Sequence, residues 1–231
     1  MISLPKNWDE KKVLIINRDY FDKRAEKYDE EKVKKVFGPS SQRRMDIAVK
    51  YLSSFNNNSF VDVGCGTGNL LKYGHKYFKK SIGYDISSNM VRVAKKKGLN
   101  VKICDINNLK IKDNQIGVVG GSAILHHMIN PDKTLKEICR IVKQGGFLYL
   151  DNEPNSFFQE SKVWNFYHGI RNIIERKEKK NFRVYNKPVS PNNINKELLK
   201  LGFKPKFYFY WTSNNLFEKE NIPLKRKILI L

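Results

Sequence analysis

Three aspartates, a run of alternating glycines and two adjacent histidines are the residues of this 231-residue chain best suited to chemistry. The glycines stand in VDVGCGTGNLL, residues 61–71, between an apolar stretch and a helical pattern. Gly64, Gly66 and Gly68 lack a β-carbon where the backbone must turn sharply and let a ligand lie against it. Their spacing is GxGxG, not the dinucleotide fingerprint GxGxxG, and Asp62 precedes the first glycine by two residues. A carboxylate beside such a turn suits a ligand with a positive amino group and would repel a pyrophosphate. Nicotinamide and nucleotide cofactors are therefore disfavoured. Asp85, in GYDISSNM (residues 83–90), falls at the expected carboxyl end of a second strand, where a carboxylate can accept from both hydroxyls of a ribose. Asp105, in CDINNL (residues 104–109), would end a third strand and can accept from the exocyclic amine of an adenine, with Ile86 and Ile106 flanking the ring. Taken singly, each acid has a structural alternative as a helix cap or a solvated strand end. Taken together, they converge on one adenosine-like ligand.

His126 and His127 follow a fourth strand, at the rim where a second substrate would meet that ligand. Imidazole titrates near neutrality, and base assistance of this kind is worth about 10²–10⁴ in rate. Neighbours on a turn point in different directions, so one histidine can serve as base while the other packs; His126 is the preferred candidate. Tyr28 is expected either in a lid over the ligand or in the packing of the first helix. Tyr167, His168 and Tyr185 are candidates for an acceptor pocket, although aromatic residues at helical spacing also build cores. Cys65 reads as a small side chain whose backbone borders the ligand, and Cys104 and Cys139 read as core residues. With three cysteines and no CxxC pair, neither a disulfide framework nor a metal site is expected.

The elements that must position these residues alternate in type. Strands are expected over residues 60–63, 81–85, 101–104, 116–120 and 147–150, with helices over 69–78, 88–97 and 131–142 between them. Such repeats make a doubly wound, mostly parallel α/β sheet. Short helices are expected over residues 8–37 and a helix over 41–52, broken by Gly38 and Pro39. Beyond Asp151 a long amphipathic helix over 157–174 is expected. A shorter one over 191–201 has Ser190 as N-cap and Gly202 as stop, and two last strands follow over 204–211 and 225–231. One domain results, with residues 1–52 as a helical cap and 155–200 as a lid on the acceptor side.

Hydrophobic residues make up 40% of the chain and charged residues 29%, enough apolar material for a proper core and too much for global disorder. The net charge is +21, with 28 basic and 15 acidic residues in 1–150 and 16 and 8 in 151–231. The excess is spread over both parts and forms no detached tail, which favours solvated Lys-rich faces while leaving an RNA substrate open. No apolar run approaches the roughly 20 residues a membrane helix needs, and Pro5, Lys6, Asp9 and Glu10 interrupt any leader pattern. A cytoplasmic location with no integral membrane segment is expected.

The four blocks, in order and at this spacing, resemble the class I S-adenosylmethionine-dependent methyltransferases through most of residues 20–150. The resemblance implies a Rossmann-like seven-stranded sheet with an antiparallel final strand, and S-adenosyl-L-methionine as cofactor. Asp62, Gly64, Gly66 and Gly68 match the family's first motif, Asp85 its ribose acid and Asp105 its adenine-contacting acid. YFDKRAEKYDEE, residues 20–31, looks like the amino-terminal helix that closes over the cofactor, and residues 120–154 are similar to the fourth-strand, helix and fifth-strand block. The sequence departs from the family where an aromatic-Asp pair usually opens the fourth strand, having Ile116 and Gly117, and has Gln144 where Pro-Gly-Gly usually begins. The implied activity is in-line methyl transfer to an acceptor, with a small-molecule or lipid-like acceptor preferred. RNA is the alternative, through a likeness to wobble-uridine-modifying tRNA methyltransferases around residues 123–127. A binder that has lost turnover is a third reading.

Overall fold

The structure, a computed structural model, describes residues 8–33, 38–55, 58–156 and 184–208. Among them five strands form one parallel sheet in the order β3-β2-β1-β4-β5: β1 (Ser59–Val63), β2 (Lys80–Asp85), β3 (Val101–Ile103), β4 (Ile116–Ser122) and β5 (Val142–Asp151). The order reverses between β1 and β4, so the crevice at their carboxyl ends is where an open α/β sheet places its ligand.

Alternation along the strands sorts the core into two layers. Val61, Val63, Val119, Leu148 and Leu150 face one way and meet α5 (Pro131–Ile141) and α6 (Pro191–Lys200) through Leu135, Ile138, Ile194 and Leu198. Phe60, Val118 and Tyr149 face the other way, against α2 (Pro39–Ser53), α3 (Leu71–Tyr77) and α4 (Ser88–Lys96), which contribute Met45, Val49, Leu52, Leu71, Val91 and Ala94. A sheet covered on both faces explains why successive residues of β1, from Phe60 to Val63, are all buried, Asp62 among them. The helices start on side-chain caps legible in the sequence: Ser87 accepts from Met90 N, Asn130 from Lys133 N and Ser190 from Asn193 N.

The cap expected over residues 8–37 is α1 (Glu10–Arg24), followed by a 3-10 turn (Ala25–Lys27) and a π turn (Asp29–Val33). One expectation is corrected at the carboxyl-terminal end. Lys204–Tyr208, expected to open a sixth strand, forms none; a run that opens with Lys-Pro-Lys loses a backbone donor at Pro205. The remainder of that strand and the one over 225–231 lie outside the described residues, as does the helix over 157–174. The end of the expected 155–200 lid is α6, which packs into the core with Leu198 fully buried. No described helix is long and apolar enough to cross a membrane.

Candidate functional site

The carboxyl ends of the strands open into a cavity of about 370 Å³, a size typical of ligand pockets. Gly64, Gly66, Asp85, Ile86, Asp105 and Ile106 line it from β1–β3, Ala123, Ile124, His127 and Met128 from the turn after β4, and Asn17, Phe21 and Tyr28 from the cap.

On the β1–β3 side the geometry follows from the glycine loop. Gly64, Gly66 and Gly68 all have positive φ, a region that L-residues with a side chain rarely enter. A β-carbon on Gly64 would lie 2.5 Å from Ile124 Cγ2, and one on Gly68 2.1 Å from Leu99. Gly64 therefore permits close approach at the cavity, while Gly68 permits packing of the loop on α4 and lies away from the cavity. Asp85 holds the loop from the neighbouring strand: its Oδ2 accepts from Gly66 N at 2.8 Å and its Oδ1 from Ser87 N at 2.8 Å. Each carboxylate oxygen has a second lone pair, so both remain able to accept from a diol in the cavity. Burial pushes the Asp85 carboxyl up, with the Ser87 and Gly66 N–H groups opposing.

Asp62 is 1% exposed and does not line the cavity. Its Oδ2 has no hydrogen-bond partner among the described residues. Burial and then the charge of Asp85 push its carboxyl well above the usual range. A hydrogen bond from the Leu71 backbone opposes this, but a buried acid with one oxygen unpaired beside a second acid remains costly, and a nearby positive charge relieves both. That is the charge an α-ammonium or sulfonium centre would bring, so the residues fit the cofactor implied by the sequence. Cys65 is also buried away from the cavity, its sulfur so near Gly83 that a β-carbon there would approach to 2.7 Å.

The cap closes the cavity through polar latches that sequence reading missed. Asp22 Oδ1 accepts from Ser87 Oγ at 2.5 Å and from Asn89 N at 2.8 Å, joining the cap of α4. Asp29 accepts from Thr67 Oγ1 at 2.6 Å and pairs with Lys97. Tyr28 is thereby brought to the cavity, where burial and then Asp85 raise its hydroxyl to about 12. Asn17, buried on the inner face of α1, donates from Nδ2 to His127 O at 2.9 Å and accepts at Oδ1 from Tyr185 N at 2.8 Å. The available signal was a polar residue in the apolar series Val13, Asn17, Phe21.

On the β4–β5 side the two histidines part. Ala123, in left-handed conformation at φ +61°, turns the chain into the 3-10 turn Leu125–His127. His127 lines the cavity, edge-on to Phe21, and its Nδ1 lies 2.8 Å from Tyr185 O. A carbonyl partner requires the proton on Nδ1, which puts the basic lone pair of the neutral ring on Nε2. His126, the preferred candidate from sequence, is 7% exposed, does not line the cavity, and has Nδ1 2.8 Å from Glu153 Oε2. Glu153 also accepts from the backbone N–H groups of Ile124, Leu125 and His126 at 2.7–3.1 Å. Burial pushes its carboxyl up, but His126 and those N–H groups outweigh this and leave it below the ordinary range. Tyr185 contributes its backbone here and does not line the cavity; Tyr167 and His168 lie outside the described residues. No group of three or more metal-ligating side chains occurs among the described residues.

This crevice, with an acid at the end of each of β1 and β2 and another just beyond β3, coincides with a sequence match: residues 61–150 fit the profile described as "Methyltransferase domain". Over those residues the chain carries a methyltransferase domain. It is 27% identical over 115 residues to a probable tRNA methyltransferase 9B of Mus musculus, covering 46% of this chain and 25% of that protein. It is 32% identical over 104 residues to a tRNA (carboxymethyluridine(34)-5-O)-methyltransferase of Arabidopsis thaliana, covering 43% and 25%. The chain thus spans about a quarter of the length of these relatives. Among solved structures, magnesium protoporphyrin IX methyltransferase from Synechocystis with bound SAH shares the fold at TM-score 0.62 and 20% identity, covering 82% of this chain and 89% of that one.

Proposed function

We propose that the protein transfers the methyl group of S-adenosylmethionine to a small-molecule or lipid-like acceptor. The observation that carries the cofactor assignment is the pairing of Asp85, accepting from Gly66 and Ser87, with the unpartnered buried Oδ2 of Asp62. Asp85 takes the ribose diol, Asp105 the adenine amine with Ile86 and Ile106 against the ring, and Asp62 provides the negative charge behind the amino-acid end. Gly64 and Gly66 supply close backbone approach, Cys65 and Gly68 shape their loop, and Tyr28 closes the lid. When bound, the cofactor supplies an electrophilic sulfonium methyl. What the chain adds is alignment and exclusion of water by the α1 cap, for which about 7–11 kcal/mol is available in favourable cases. His127, which lines the cavity, is the residue that would accept an acceptor proton, and Glu153 and His126 hold the turn that carries it.

The cavity lining of Val13, Leu14, Phe21, Met128 and Ile129 supports an acceptor with apolar surface. The segment over residues 155–200 is the proposed acceptor-side lid. RNA is the second reading, favoured by the tRNA-modifying relatives and the charge of +21. Cell extract incubated with the protein and deuterated-methyl cofactor, with Asp85→Ala as blank, tests both. Labelled metabolites or lipids are expected; label confined to RNA would transfer the assignment to the second reading, and no label anywhere would overturn turnover itself.

A further inference from the structure

Asp105 is held by a relay that begins on a different helix. Its Oδ1 accepts from Asn107 N at 2.9 Å and from Asn107 Nδ2 at 3.0 Å. Asn107 Oδ1 in turn accepts from Thr134 Oγ1 at 2.7 Å. Thr134 is fully buried in the first turn of α5, where the other buried side chains are Leu135, Ile138, Cys139 and Ile141. A turn between Asp105 and Asn107 needs only the backbone N–H; it does not need the Asn107 amide, nor a hydroxyl 27 residues away. The donor order is consistent along the chain. The Thr134 hydroxyl can only donate to the amide oxygen, which turns the amide NH₂ toward an acceptor, and an ionised carboxylate is acceptor-only. Asp105 Oδ1 is thus doubly occupied as an acceptor, and Oδ2 makes no hydrogen bond to a described residue. Asp105, Asn107 and Thr134 all border the cavity.

We propose that Thr134 and Asn107 are positioning residues for purine selection, orienting Asp105 Oδ2 to accept from the 6-amino group of the cofactor's adenine and to repel a 6-keto purine. The inference rests on the assignment of Asp105 to adenine. Its physical basis is that a carboxylate free to rotate or to accept water could accommodate a 6-keto base, whereas one pinned through Oδ1 faces that oxygen with a lone pair. Selectivity against a base lacking the donor arises because the site's polar group is then left unpaired.

The test compares binding of S-adenosylhomocysteine and S-inosylhomocysteine, its 6-keto counterpart, by calorimetry to the full chain. Wild type is expected to prefer the adenosyl ligand by about 30-fold or more, a charge-assisted hydrogen bond against an unpaired acceptor. Thr134→Val, which keeps shape and burial, and Asn107→Ala should each lower that ratio by about five- to tenfold. Thr134→Ser, which keeps the hydroxyl, should restore it. A general loss of packing would weaken both ligands alike and leave the ratio unmoved. An unchanged ratio in both Thr134→Val and Asn107→Ala overturns the relay while leaving the adenine contact standing. A ratio near one in wild type overturns the adenine contact and the relay with it.

Discussion

The ends of β1–β3 and the ends of β4–β5 border one cavity, yet they are held by different means. On the first side the strand-end acids are held from within a few tens of residues: Asp85 accepts from residue 87 and from residue 66, 19 residues away, and Asp105 from residue 107, whose amide oxygen accepts from Thr134, 27 residues away. On the second side local bonds from His127 N to Ile124 O and from Met128 N to Leu125 O are joined by partners much farther along the chain. The turn carrying His127 hangs on Glu153, 27 to 29 residues away, and on Asn17, 110 residues away, which also holds Tyr185 from a separation of 168. A turn fixed by a partner 110 residues away can be re-aimed by changing that partner, without altering the turn's own sequence.

That contrast can be broken most forcefully at Glu153. Replacing it by Ala leaves three N–H groups and a buried His126 without their acceptor and should lower the unfolding free energy by about 3–5 kcal/mol in a urea titration. A loss under about 1 kcal/mol would mean that the turn supports itself, and the contrast with the first side would fail. On the cofactor side, Asp85→Ala should weaken S-adenosylmethionine by about 100-fold in calorimetry, with Asp85→Asn intermediate, because charge-assisted hydrogen bonds are worth about 1.5–3 kcal/mol each. Unchanged affinity would remove the ribose assignment.

The smallest effect is one of pH. The carboxyls of Asp62 and Asp85 are raised above their ordinary 3.8 in the folded chain, so the native state binds more protons than the unfolded one between that value and the raised ones. The contribution of these acids to stability is complete below the ordinary carboxylate value and declines as pH rises through the window. A bound ammonium favours the ionised forms, so the rise in Tm on adding S-adenosylhomocysteine should be greater at about pH 7 than at about pH 4. Asp62→Asn should flatten that difference; an equal rise at both pH values would show that no cation reaches these acids.

The strand-end acids and glycine loop of the first side were legible in the sequence because they follow from spacing. A strand followed by glycines and an acid at the next strand's end are patterns of spacing, and a parallel sheet brings successive strand ends to one rim whatever the helices between them contain. The sorting within the motif was not legible. Gly64 and Gly68 both admit a neighbouring side chain where a β-carbon would sit, Ile124 and Leu99, yet Gly64 borders the cavity and Gly68 does not. His126 and His127 were indistinguishable for the same reason, since adjacency on a turn says nothing of which ring meets Glu153.

By itself the sequence determined the alternation of strands and helices, the cofactor class and the placing of three acids at neighbouring strand ends, because strand ends in a right-handed βαβ succession have nowhere else to converge. Only the tertiary structure decided that α6 belongs to the core, that His127 and not His126 borders the cavity, and that Asn17, Glu153 and Thr134 aim the site. Each of those outcomes depends on partners remote along the chain, brought into hydrogen-bond range by burial of two apolar layers, and separation of that kind leaves no periodic trace in a linear code.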